Sequence, residues 1–401
     1  MSLNILLYAD EIVLWSESKE GLQNSLDELY RYCSNWKLQV NSNKSKVIVF
    51  NSNGRTFLNE FIYDTCIIET VTQYSYLGIV MRYNGSFNLA ISTLMEKARK
   101  AYFKIKKTVT LNNPARLLEK LFDCLISPVL LYCSEIWGAF CSLKDSDPFE
   151  KLHLKFIKEV LGVNCKASND ACRAELARLQ LKNSIRYSCI NFFNHIISSD
   201  KTLIYQIYNA TRCNPWIKKT KHLLQSLGYS YIFDNNVNFK RQLINIKQRI
   251  RDQNLQNQNS NICQSSKLNF FRTFYNMGKR PLYVDNLVNI SERAAISKIR
   301  TSAHLLMIER GRHKNIPISE RYCSVCKSGE IENEQHFLLH CSGYDSQRQI
   351  LITKINKIVP GFSNLNTISR IKVILNSKST LILRMSSSFI SSCFKNRESL
   401  M

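Results

Sequence analysis

The chain has 401 residues, 44% of them hydrophobic, which is enough for two or three domains with cores and excludes a disordered polymer. Lys+Arg 55 against Asp+Glu 31 gives a formal charge of +24, an excess that favours a polyanionic partner, nucleic acid first. Fourteen cysteines scattered over this length argue against a small disulfide scaffold, and for a soluble intracellular protein, nuclear or cytoplasmic, with mostly reduced thiols.

In chain order, Ile5-Leu6-Leu7 and Ile12-Val13-Leu14 read as two apolar strands joined by the acidic turn Tyr8-Ala9-Asp10-Glu11. The turn has two readings: Asp simply favours turns, or the hairpin holds a carboxylate pair for a hard cation. Asp10 and Glu11 also interrupt the only apolar N-terminus, so no signal peptide is expected. Leu22, Leu26, Leu29, Cys33 and Trp36 recur on one helical face. A strand is expected at Lys46 to Phe50, then a strand pair around Ile67-Ile68 and Tyr76 to Val80, giving an α+β fold with a small sheet.

From about residue 86 the period is helical. Leu89 to Val109 carries Lys97, Lys100, Lys104 and Lys107, and the next helix is expected to be capped by Asn113 with Pro114 in its first turn. Leu125 to Trp137 contains Pro128 and Glu135 and is too short to span a bilayer, so no membrane partner is expected. Helices are expected from Asp147 to Leu161 and from Asn169 to about Tyr208. The Gln/Asn-rich stretch 252–267 reads as a linker.

The ordered series YADE, CSNWKLQVNSNKSKVIVF, YSYLGI, KLFDCLISPVLLYCSEIWG and CSVCKSGEIENEQHFLLHC resembles the C-terminal part of LINE-type non-LTR retrotransposon reverse transcriptases. The resemblance implies a partial palm at 1–85 from the motif C hairpin onward, and thumb-like helices at 86–168. It further implies a C-terminal helical region at 169–315, a zinc-knuckle-like element at 316–347 and a tail at 348–401. It makes Asp10 and Glu11 a remnant metal-binding pair, with Glu11 where the family has a second Asp. It places Tyr76 and Gly78 at the primer grip, and Lys97 to Lys107 beside the template-primer duplex.

The motif carrying the other metal-binding Asp belongs upstream in the family, and seven residues precede Tyr8 here. Two-metal nucleotidyl transfer needs carboxylates on both sides of the cations, so Mg²⁺ is expected only if upstream sequence completes the site. The resulting expectation is a 5′-truncated reverse-transcriptase-related protein that binds RNA and DNA without sequence choice and does not polymerise alone. The alternatives are an incomplete form of an active RNA-directed DNA polymerase, a zinc-stabilised protein-interaction module, or a pseudogenic product. The lysine run also has a bland reading, as a solvated helix face with Tyr102 and Phe103 in the core.

The strongest local signal is C-terminal. Cys323 and Cys326 have the CxxC spacing of a zinc turn, and His336 and Cys341 would close a tetrahedral Cys3His site for Zn²⁺. His340 competes with His336 as the nitrogen ligand, and unrelated or redox thiols are the other reading. Oligomeric state is not legible.

Overall fold

Two units, Met1–Glu96 and Lys97–Met401, divide the chain. The computed structural model describes residues 4–51, 60–141, 144–199, 202–211, 214–233 and 239–399. The fold is α+β, with small antiparallel sheets first and helices after them.

In the first unit, β1 (Ile5–Tyr8) pairs with β2 (Glu11–Leu14) as the expected hairpin, with Tyr8 and Glu11, expected in the turn, as its last strand pair. α1 (Lys19–Asn35) begins at Ser18, whose hydroxyl accepts from the Gly21 N–H at 3.0 Å and satisfies one orphan donor of the first turn. Leu26 is buried with Val47, Phe61, Tyr63 and Ile68, while Leu22 and Leu29 pack against them. Trp36 departs from expectation: the helix ends at Asn35, and Trp36 lies beyond the apolar stripe, exposed.

The strand expected at Lys46 to Phe50 does not form. Val47 alone makes a parallel bridge to Thr70, bonded to Glu69 and Val71, and its side chain enters the core. Val49 packs against the same core and Lys46 pairs with Glu69 at 2.9 Å, so side-chain contacts hold the segment without a ladder. The later strands are two separate hairpins, β3 (Phe61–Tyr63) with β4 (Cys66–Ile68), and β5 (Gln73–Tyr76) with β6 (Ile79–Arg82). Tyr76 to Val80 is therefore a turn and its flanks, because Leu77 (φ 47°) and Gly78 (φ 83°) are both left-handed and reverse the chain.

α2 (Asn88–Thr108) leads into the second unit. Asn113 does not cap α3 (Ala115–Leu121); its amide donates to the Thr110 carbonyl, and Pro114 takes the cap position without a side-chain bond. A π-helical turn at Phe122–Ile126 joins α4 (Ser127–Leu130), and α5 (Ser134–Trp137) follows. α6 (Pro148–Leu161) stops at Gly162 (φ 67°), where a Cβ would lie 2.4 Å from Ala294 Cβ, so conformation and close approach both require glycine. Helical patterning over 169–208 resolves into α7 (Asn169–Leu176), α8 (Leu181–Ile197) and α9 (Leu203–Ala210), with 200–201 outside the described residues.

α10 (Pro215–Ser226) and α11 (Phe239–Gln264) pack with α8 around Phe193, Trp216 and Ile246. The polar stretch expected as a linker is helical to Gln264 within α11. Ile246, Ile250, Asn254, Gln258 and Ile262 are all buried at four-residue spacing, so the inward stripe continues through polar side chains. Those amides are satisfied: Asn254 donates to Gln180 Oε1 at 2.9 Å and Gln258 to the Asp170 carbonyl at 3.1 Å.

After α12 (Leu282–Asn286), α13 (Ile290–Arg300) and α14 (Met307–His313) come the Cys/His segment and three helices: α15 (Asp345–Asn356), α16 (Thr367–Asn376) and α17 (Thr380–Ser399). Of the stretch expected as a tail, residues 348–399 are described and form packed helices. Leu351, Ile355, Ile374, Leu383, Phe389 and Ile390 are buried, and α17 packs along α13.

Candidate metal centre and nucleic-acid surfaces

The β1–β2 turn is two residues long, Ala9-Asp10, with Ala9 left-handed (φ 52°). It carries Asp10 and Glu11 side by side at an exposed tip. The strands beneath are open on their apolar side chains, Leu7 at 67% and Tyr8 at 64% exposure. Among the described residues one group of three or more metal-capable side chains exists, and it does not include this pair. Asp10 and Glu11 therefore present two carboxylates without a third partner. Tyr76 is half-buried at the end of β5, and Gly78 sits exposed in the left-handed turn that follows.

Lys97, Lys100, Lys104 and Lys107 are all exposed on α2, three or four residues apart and thus on one face. The two aromatics interleaved with them separate. Tyr102 is buried and donates its hydroxyl to Glu159, and burial first, then that bond, pushes its pKa far up. Lys106 pairs with the same carboxylate at 2.9 Å. Phe103 is exposed but covered on one face by the Lys155 ammonium, 4.9 Å from the ring centre. Tyr102 is thus core, and the lysine face is a row of charges without a free stacking platform. Further exposed cations lie on α10 (Lys218, Lys219) and α11 (Lys240, Lys247, Arg249, Arg251).

Cys323, Cys326, His336 and Cys341 converge, with every ligand atom within 4.8 Å of the others. Cys323 Sγ lies 3.7 Å from Cys341 Sγ, and Cys326 Sγ lies 3.4 Å from His336 Nε2. Tetrahedral bonds of about 2.3 Å to sulfur and about 2.0 Å to nitrogen place such atoms roughly 3.5–3.8 Å apart. The group is closed, with no position reserved for a substrate. His336 Nδ1 meets Glu330 Oε2 at 2.7 Å, which fixes the ring and turns Nε2 toward the thiols. His340, one turn on, is not in the group. The hydrogen bond between the Cys323 and Cys341 sulfurs raises the Cys323 thiol and lowers Cys341.

The local chain shapes this cluster. A bridge between Tyr322 and Ile331 closes the loop, with Cys323 N–H donating to the Glu330 carbonyl at 2.9 Å. Lys327 and Gly329 adopt left-handed φ of 53° and 75° to reverse it. At Gly343 a Cβ would fall 2.4 Å from Val325 Cγ1, so a bare backbone there lets the CxxC turn close over the chain that follows Cys341.

Sequence reasoning missed what anchors this segment. Glu332 is fully buried and forms a bidentate pair with Arg397 of α17, Nη2 to Oε2 at 2.8 Å. Glu332 also accepts from the Met307 N–H at 2.7 Å. Glu334 accepts from His304 and Ser302; burial alone would raise its pKa, but the His304 bond and charge hold it below the usual carboxylate value. Phe337 stacks on Phe394 at 5.0 Å and meets Tyr344 edge-on. The element at 316–347 is thus sewn into the helices on either side rather than free-standing. An isolated acid in a polar run gives no signal of a partner 65 residues away.

Residues 1–81 match the reverse transcriptase (RNA-dependent DNA polymerase) family. A Caenorhabditis elegans protein described as an uncharacterized transposon-derived protein is 28% identical over 141 residues, 34% of this chain and 49% of that protein. The chain thus spans about half the length of the curated relative it matches. No solved structure matches. The N-terminal region is reverse-transcriptase-like, and the matched stretch includes Asp10, Glu11, Tyr76 and Gly78.

Proposed function

We propose that the chain is a reverse-transcriptase-related product of a LINE-type retroelement that binds RNA and DNA and does not extend a primer by itself. One observation carries the reading: within the stretch that matches the reverse transcriptase family, a two-residue turn holds Asp10 beside Glu11. Asp10 is the motif C carboxylate in this reading, and Glu11 replaces its neighbour with one more methylene. Two cations need carboxylates from both sides, and Asp10 with Glu11 supply one. Mg²⁺ enters only when another segment completes the cage.

Lys97, Lys100, Lys104 and Lys107 contact phosphates in this reading, an interaction that gives affinity without base choice. Tyr76 and Gly78 lie at the primer grip. Cys323, Cys326, His336 and Cys341 hold Zn²⁺, supported by thiol and imidazole donors within 4.8 Å of one another, by the 3.7 and 3.4 Å pairs among them, and by the carboxylate on His336 Nδ1. The ion orders the loop and takes no part in chemistry, since all four positions are filled by protein. No helix among the described residues is long and apolar enough to cross a membrane; in this reading the nucleic-acid partners are met in the nucleus or cytoplasm.

The test is primer extension by the purified chain on an RNA template with Mg²⁺ or Mn²⁺, beside Asp10→Ala. Equal, background-level signals are expected. Extension that Asp10→Ala abolishes would show a complete cage and overturn the reading.

A further inference from the structure

The geometry points to a ligand site within the second unit: a cavity of about 340 Å³ that takes a nucleoside 5′-phosphate, free or at the end of a strand. It is built where four sequence-distant segments of the second unit meet. These are the end of α7 at Ala174 and Glu175, the stretch from Phe274 to Leu282 entering α12, Arg300 closing α13, and Asn376 to Lys378 between α16 and α17. The volume lies in the range of small-ligand pockets.

The charge arrangement selects an anion. Glu175 is the one carboxylate of the lining, and both its oxygens are taken by Arg300 at 2.9 and 2.7 Å. Arg280 is likewise engaged, with Glu119 at 2.6 Å and Asp285 at 2.9 Å. Lys279 and Lys378 are exposed at the lining and have no carboxylate partner among the described residues. Asn376 accepts from Arg300 through Oδ1, at 3.3 Å, which leaves its amide N–H groups as donors. An entering phosphate thus meets two ammonium groups and an amide, while the acid is already neutralised.

The rest of the wall selects a flat, partly apolar body. Arg300 is stacked on Phe274, 4.1 Å from the ring centre, and both are buried. Pro281, Leu282 and Ala174 complete an apolar side. A planar base against this side, with its phosphate toward the lysines, uses both halves of the lining. A sugar alone or an inorganic anion would use one half.

The test is calorimetric titration of the full chain with adenosine 5′-monophosphate and with adenosine at one salt concentration. One site per chain for the monophosphate is expected, with adenosine at least tenfold weaker. Lys279→Ala with Lys378→Ala should weaken the monophosphate tenfold or more, and Leu282→Trp, which fills the mouth from an exposed position, should abolish binding. All three positions are exposed, and an unchanged helical circular dichroism spectrum and melting temperature confirm the fold. A 5′-phosphorylated trinucleotide set against its 5′-hydroxyl form separates the sources: preference for the phosphorylated end assigns a strand terminus, and binding of the mononucleotide alone assigns a free nucleotide. No monophosphate binding, equal binding of adenosine, or variants that match wild type would overturn the site. Loss of the monophosphate on replacing Lys100, Lys104 and Lys107 would also overturn it, by placing the anion on α2; duplex binding through α2 stands or falls separately.

Discussion

Replacing Arg397 by Leu should loosen the Cys/His segment and α17 together. Arg397 and Glu332 are 1% and 0% exposed, and their two-point pair is the charged link between the segment and the last helix. Removing the arginine leaves a carboxylate in the interior with the Met307 N–H at 2.7 Å as its remaining donor once metal holds Cys323 as a thiolate. Stranding one member of a buried pair costs roughly 3–5 kcal/mol. The surviving N–H bond places the cost near the lower end, about 3 kcal/mol, or on the order of a hundredfold in the local opening equilibrium.

Native-state hydrogen exchange, read on peptides covering 320–341 and 380–398 with metal supplied, measures that opening directly. Both peptides should exchange about a hundredfold faster than wild type. Glu332→Gln with Arg397→Met removes both charges and should recover at least half of the loss, because no uncompensated charge stays buried. Wild-type exchange in Arg397→Leu, or a double variant no better than the single one, would refute the reasoning.

Co²⁺ titrated into the full chain should give one tetrahedral thiolate spectrum per chain; Cys326→Ser should remove it and His340→Ala leave it, and loss with His340→Ala but not His336→Ala would refute the ligand set. Chelation should raise exchange over 320–341 most, with α17 affected through the Glu332–Arg397 link. Replacing Lys100, Lys104 and Lys107 by Ala should weaken duplex binding and flatten its dependence on log salt by about 0.9 for each phosphate that is no longer neutralised; an unchanged slope would remove α2 from the interface. His153 is fully buried, and its pKa lies below the ordinary 6.5, first by burial and then by Arg178 and Arg173, although Glu150 opposes them. The unfolded chain then takes up a proton that the folded one refuses, so this contribution is whole above about pH 6.5 and declines as pH falls, by at most about 1.4 kcal/mol per pH unit. The urea midpoint of unit 97–401 should fall accordingly, and His153→Gln should flatten that fall; an unaltered slope would contradict it.

Local chemistry determined what the sequence by itself makes legible. Two apolar runs around an acidic turn placed the hairpin; the structure shortens the turn to Ala9-Asp10, with Tyr8 and Glu11 as the last strand pair. The CxxC spacing with a later His and Cys named the metal-capable group, since those donors lie within nineteen positions and a short loop brings them together. Tertiary structure decided whatever depends on partners distant in the chain. The stretch 252–264 reads as a linker because its composition is polar, and it is helix because Gln180 and the Asp170 carbonyl satisfy Asn254 and Gln258. The resemblance leaves residues 348–401 as a tail, yet α15, α16 and α17 are helices whose core α13 and the Cys/His segment complete. The cavity at Lys279 and Lys378 carries no motif. It exists because folding brings four segments to one place, and no periodicity encodes that meeting.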